Sequence, residues 1–408
     1  MHNSGAGAIC DWLIADGARA AGIPGLVVGY VQKLNEMGFD IFRSTFMVRT
    51  LHPEIESIRF GWTADAIELP VLGNRFYLNK RSTAVGGTSV EEITFSHGAF
   101  ARSVPYQVSP YKKLDLGAHE VRSRVHATQN EYPIVDDIRD AGGTDYFLFA
   151  LPKLSEFAHR VSLATRRAGG FSEEQLDVLR SSAKPLAAAM EIQVNRLITE
   201  NLLAVYLGLH PAQRVLAGAI KPGDVERISS AIWFSDLRGY TDLSQATEPG
   251  KLIEWLNGYF DTISTPIINH GGEILKYMGD AVLAIFPVAD GGASEAAKQA
   301  LAAAQAAKSA LAEMNERRQS ESLPPMRHGI ALHIGEVEYG NVGANRRLDF
   351  TVIGPAVNKA SRIEGLCKTT GRDLLLSADF AQLIAGTKSI GEFSLKGIDQ
   401  PEQVFIPD

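Results

Sequence analysis

Asp236, Asp280, Asn358 and Arg362 have the residue types and spacing that chemistry on a phosphate ester needs. Asp236 follows an apolar run, Ala231-Ile232-Trp233-Phe234, and Gly239 soon loosens the backbone after it. Asp280 ends Met278-Gly279-Asp280, between two short apolar runs. Carboxylates at the ends of neighbouring strands can converge on one sheet edge, and two close anions repel unless a proton or a cation joins them. Hard oxygen donors of this kind suit Mg²⁺, which takes one or two carboxylates and completes its shell with water and substrate phosphates. Asn358 and Arg362 lie four apart in a helical pattern, hence on one face. Asn both donates and accepts, and Arg offers a planar, permanently charged fork for phosphate oxygens. Taken singly, each also fits a plainer role: Asp236 a helix cap, Asp280 a turn residue, Asn358 and Arg362 a polar helix face.

These side chains need a scaffold, and the flanking sequence supplies one. SAIWFS reads as a buried strand, and Pro249 suits the first turn of a helix whose stripe is Leu252, Leu256, Tyr259, Ile263 and Ile267. GGEILKYMGDAVLAIFP reads as a tight hairpin with Asp280 at its turn. An Ala-rich helix from about Ser294 to Arg318 follows, then the strand RHGIALHIG, in which Ile330, Leu332 and Ile334 alternate. The order β-α-β-β-α-β is that of a ferredoxin-like or palm core, an α+β fold that assigns no activity by itself. RRLDFTVIGPAVNKASRIEGLCK, from Arg346 to Lys368, then reads as strand, Gly-Pro turn and helix.

FSDLRGYT, LKYMGD and DFTVIGPAVNKASRIE, in that order, closely resemble the three signature segments of class III nucleotidyl cyclases, and the likeness runs from near Asp224 to the C-terminus. The resemblance implies that Asp236 and Asp280, with the backbone carbonyl of Leu237, bind two divalent ions per site, Mg²⁺ or Mn²⁺, which hold the triphosphate of ATP. It implies that Asn358 orients the ribose, that Arg362 stabilises charge on the α-phosphoryl group, and that Arg346 and Lys396 meet the departing phosphates; Arg347, adjacent to Arg346, competes for that role. Lys276 stands where the family places a lysine for adenine and a glutamate for guanine. An ammonium only donates, matching the acceptor N1 of adenine. Thr351 takes the second base-reading position, commonly Asp, as in a subgroup of bacterial adenylate cyclases. The family also divides each site between two chains, which implies a homodimer here. GGEIL, at Gly271 to Leu275, resembles the hairpin of diguanylate cyclases but lacks that motif's acidic-aromatic end. A guanylate cyclase and a catalytically inactive nucleotide-binding module are the competing readings.

The N-terminal half says less. Ser172 and Gln175 form a capping box, after which Leu176, Leu179, Ala183, Leu186 and Met190 repeat at helical steps, and Pro185 argues against one straight helix. DYFLFALP and RVSLATRR read as strands before it, and the closing segment resembles that of GAF-type sensor domains. The expected organisation is a GAF-like α/β regulatory domain at 1–195, a helical linker at 196–228 and a cyclase domain at 229–408. An unidentified small-molecule regulator, or a dimerisation scaffold that binds nothing, fits the first part. The aromatics of RFGWTADA and NRFYLNK read as core filling. Cys10 and Cys367 have no paired spacing, which points away from zinc or disulfides and towards a reducing cytoplasm. The net charge of −7, from 40 basic and 47 acidic side chains intermixed, offers no basic field for nucleic acid, and no apolar run is long enough for a membrane span.

Overall fold

A computed structural model describes residues 4–64, 77–128, 130–344, 346–398 and 400–408, which divide into two units, Met1–Leu202 and Leu203–Asp408. The first unit comprises α1 (Ser4–Ala15), α2 (Gly22–Glu36), β1 (Ile41–Arg49), β2 (Ile55–Thr63), β3 (Tyr77–Val85), β4 (Thr88–Ser96), α3 (Ala99–Arg102), α4 (Val104–Gln107), α5 (Tyr111–Asp115), β5 (Glu120–Arg124), α6 (Pro133–Asp140), β6 (Asp145–Ala150), β7 (Arg160–Thr165) and most of α7 (Glu173–Leu207). Among the described residues its strands form one antiparallel sheet, ordered β3-β4-β2-β1-β7-β6-β5. Leu13, Leu26, Val31, Phe46, Leu179 and Met190 meet in the core between one sheet face and α1, α2 and α7. Phe60 and Trp62 are buried with them, as expected of core aromatics; Phe76 lies outside the described residues.

The Ser172/Gln175 spacing folds as a reciprocal cap. The Ser172 amide donates to Gln175 Oε1 at 3.1 Å and the Gln175 amide to Ser172 Oγ at 3.2 Å. Pro185, which argues against one straight helix, does not end α7, and the helix runs through it from Glu173 to Leu207. Proline deprives the carbonyl four residues earlier of its helical donor. Here that carbonyl, on Ser181, faces the Cys10 thiol at 3.8 Å, and burial of Ser182, Leu186 and Ala187 holds the chain on both sides of the defect.

The second unit continues with α8 (Leu209–Leu216), β8 (Val225–Leu237), α9 (Tyr240–Ala246), α10 (Pro249–Asn269), β9 (Glu273–Met278), β10 (Ala281–Pro287), α11 (Gly292–Ser320), β11 (His328–Ala344), β12 (Arg347–Ile353), α12 (Pro355–Thr370), β13 (Leu374–Ser377), α13 (Ala378–Ala381), β14 (Thr387–Phe393) and β15 (Glu402–Pro407). The sheet order β14-β15-β13-β11-β8-β10-β9, with β12 paired to β11, contains the expected βαββαβ core. Alternation along β8 sends Ala231 and Trp233 to the face under α10 and α11, and Ile232 to the opposite face. Ala297, Ala300, Ala303, Ala304 and Ala307 are fully buried, so the small side chains of α11 let it lie close against that sheet. No described helix is long and apolar enough to cross a membrane.

Gly340 allows the long strand β11 to approach β8. Its φ is +152°, and a Cβ there would stand 2.1 Å from the Asp224 carbonyl oxygen. It pairs with Val225 on one side and Thr351 on the other. Gly340→Ala is therefore expected to lower stability by roughly 1–3 kcal/mol, read as a lower denaturant midpoint for the C-terminal unit.

Candidate active site

β8 and β10 pair antiparallel with Val282 opposite Ser235, a register that brings the Asp280 turn to the end of β8 beside Asp236 and Leu237. The two carboxyls meet. Burial, the Asp236 carboxyl within hydrogen-bonding reach, and its charge together push Asp280 up to about 7, against opposing donation from the backbone amides of Asp280 and Leu237. Asp236 Oδ1 is buried and meets no donor among the described residues. A third acid stands close by. Burial first, then the charges of Asp236 and Asp280, push Glu364 on α12 up to about 7, with Arg238 opposing. Gly329, opposite Asp236 in the sheet, makes room for it: a Cβ at that position would lie 2.4 Å from Glu364 Oε1.

An orphaned carboxylate oxygen beside a second acid is the donor chemistry a divalent cation satisfies. No three His, Cys, Asp or Glu side chains among the described residues are arranged to hold a metal, so water, backbone carbonyl and ligand oxygens would have to complete the shell.

The cationic half of the expected site lies elsewhere in the chain. Asn358, Arg362 and Lys396 line one cleft of about 910 Å³, together with Gly354 and Pro355 at the start of α12. Neither Asp236 nor Asp280 is among its described lining residues. Lys359 in that cleft is paired, to Asp379 at 3.0 Å and Glu402 at 2.8 Å. Arg362 and Lys396 have no ion-pair partner among the described residues, so their charges remain available. Successive helical residues turn by about 100°, so Glu364 points nearly opposite to Arg362. Hence α12 presents its acid to Asp236 and its base to the cleft.

Lys276 on β9 pairs with Asp349 on β12, the residue two before Thr351 and on the same strand face. Thr351 is buried opposite Gly340. Asp349 and Glu364 were passed over in the sequence; the first could have been found from its two-residue offset, the second only from the sheet contact. Arg346 lies exposed next to the β11–β12 hairpin and, like Arg347, is not among the residues lining the Lys396 cleft. The base-reading strands are tied to α8. The His210 and Tyr339 rings stack at 5.7 Å, and Tyr339 donates to Glu273 on β9 at 2.7 Å. Arg214 lies over Tyr339 and Phe350 and pairs with Glu226.

Residues 224–407 match the family model for the adenylate and guanylate cyclase catalytic domain. An adenylate cyclase from Anabaena cylindrica is 33% identical over 278 residues, spanning 63% of this chain and 53% of that protein. Adenylate cyclase 1 of Rhizobium meliloti is 35% identical over 146 residues, spanning 35% of this chain and 22% of that protein. The chain thus covers about half the length of the first relative and less of the second. Among solved structures, the adenylyl cyclase CyaB from P. aeruginosa is 28% identical and covers 44% of this chain and 94% of that one, with a TM-score of 0.41.

The acid pair makes metal-free stability depend on pH. Because the folded Asp280 binds its proton more tightly than the unfolded residue, its contribution is fully present at low pH and is lost as pH rises from about 4 towards about 7. Asp280→Asn is expected to flatten this fall, measured as the thermal midpoint against pH in chelator; an unchanged slope would mean that folding does not raise the Asp280 pKa.

Proposed function

We propose, on the premise that residues 224–407 form a catalytic domain of the adenylate and guanylate cyclase family, that the chain converts ATP to 3′,5′-cyclic AMP and pyrophosphate at sites shared between two copies. The observation that carries this reading is the convergence of Asp236 and Asp280, with Asp236 Oδ1 buried and unpartnered. Asp236, Asp280 and the Leu237 carbonyl would hold divalent ions, Mg²⁺ or Mn²⁺, whose chemistry when bound is to acidify the ribose 3′-hydroxyl and neutralise phosphate charge.

The rest is the work of the chain's own side chains. Asn358 holds the ribose so that its 3′-oxygen lies in line with the bond to the leaving pyrophosphate. Arg362 donates to the α-phosphoryl oxygens as charge builds on them, and Lys396 meets the departing phosphates. Lys276 donates to N1 of adenine, with Asp349 fixing the ammonium and Thr351 accepting from the amino group. Arg346 or Arg347 would add a further cation on the departing phosphates.

The separation of the acids from the Asn358 cleft supports a two-fold dimer in which each chain supplies half of each site. A GAF-like N-terminal regulatory domain acting through the helical linker fits the ties from α8 to β9, β11 and β12. A ligand that favours one arrangement of α8 would shift the strands bearing Lys276 and Thr351.

Full-length protein with Mg²⁺ or Mn²⁺ is expected to form cyclic AMP from ATP in preference to cyclic GMP from GTP, and Arg362→Ala to lower kcat by about 10²–10³-fold. Preferential cyclic GMP would overturn the role of Lys276, and no product from a folded dimer would leave a nucleotide-binding module. Equal mixtures of Asp280→Ala and Asn358→Ala chains are expected to regain about one quarter of wild-type activity, since half of the dimers are then mixed and each has one intact site. Dimers that stay inactive on mixing would rule out the shared site.

A further inference from the structure

The N-terminal sheet has one apolar face, against α1, α2 and α7, and an opposite face of mixed character, on which Met47, Ile93, Phe95, Leu148 and Ala164 are buried beside polar side chains. Alternation along β1 puts Arg43, Thr45, Met47 and Arg49 on this mixed side, with Thr63, Gly61, Arg59 and Ser57 opposite them on β2. Arg160 and Ser162 of β7 continue that face. Three of its arginines are paired: Arg49 with Glu56, Arg59 with Glu91 and Arg160 with Asp115. Arg43 is not. It is 8% exposed and has neither a hydrogen bond nor an ion pair among the described residues.

Its surroundings make that isolation costly. Arg59, from the next strand, repels it, and Asp137 on α6 attracts it without forming an ion pair. Burial and the neighbouring arginine lower the guanidinium's affinity for its proton, yet a guanidinium does not deprotonate in proteins. A buried charge that cannot neutralise itself needs a counter-charge. Partly buried Tyr111 and buried Tyr146 and Ser162 add hydroxyl groups to this side of the sheet.

We propose that this face is a binding site for a small organic anion, whose carboxylate or phosphate oxygens are taken by the Arg43 fork with Arg59 beside it. The proposal deepens the regulatory reading of the N-terminal unit by giving its ligand a chemical class, and stands apart from the catalytic reading because its test reads binding. A ligand here would bridge β1, β2 and α6.

The test uses the full chain in a chloride buffer free of oxyanions, with inorganic phosphate and succinate as probes, each at millimolar concentration. One of them is expected to raise the thermal midpoint of the N-terminal unit by a few degrees and to give a calorimetric isotherm; phosphate alone would mark a phosphorylated ligand, succinate alone a carboxylic acid. Arg43→Met is expected to keep its fold by circular dichroism and to lose the response. Lys396→Ala, which alters the cationic cleft of the other unit, is expected to retain it. Arg43→Lys, keeping the charge but not the fork, is expected to respond at least tenfold more weakly. No response to either probe, or a response that Arg43→Met keeps, overturns the site. Should Arg43→Met fail to fold, an undiminished response in Arg43→Lys overturns it equally.

Discussion

Repulsion between two carboxyl groups governs the C-terminal unit. Asp236 and Asp280 are brought together by the β8–β10 register, which the hydrophobic pattern of both strands enforces, because a slip of one residue would turn Trp233 and Ile285 out of their cores. The sheet therefore stabilises an arrangement that the acids oppose. In the absence of cations a proton relieves the strain, and burial first, then the neighbouring Asp236, makes Asp280 hold that proton more tightly than an ordinary aspartate does. Glu364 deepens the negative field from the other side, and Gly329 is the small residue that admits it.

The same unit keeps its positive charges apart from its acids. Arg362 and Lys396 stay unpaired in their cleft while nearby Lys359 is held by two carboxylates. Were Arg362 turned to the Glu364 side of α12, it would neutralise the acids and close the site within one chain. The helix instead divides acid from base by its own periodicity, the arrangement on which the proposed two-fold dimer rests.

The N-terminal unit carries a smaller version of the same imbalance. Arg43 is buried near Asp137, which attracts it without forming an ion pair, as Asp236 Oδ1 is buried without a donor. Within the C-terminal unit, α8 grips β9, β11 and β12 through His210, Tyr339, Glu273 and Arg214. The contacts are stacked and hydrogen-bonded rather than purely apolar, so they specify the position of the helix closely.

What the sequence determined by itself was local. The Ser172/Gln175 cap, the Gly279-Asp280 turn, the stripe through Tyr259, Ile263 and Ile267, and the strand–turn–helix around Gly354-Pro355 depend on neighbours within a few residues, and their patterns survive in the chain order. The signature segments added the identity of the acids, Asn358 and Arg362. The tertiary structure decided the rest. Pro185 removes one helical hydrogen bond, and only folding brings the Cys10 thiol against the freed Ser181 carbonyl. Asp349 became the partner of Lys276, and Glu364 the neighbour of Asp236, through sheet and helix packing across long stretches of chain. Arg43 looked like any strand arginine until folding buried it and gave its neighbouring arginines, but not it, a carboxylate. Periodicity records which way a side chain points; only packing in three dimensions fixes which charge it will meet there.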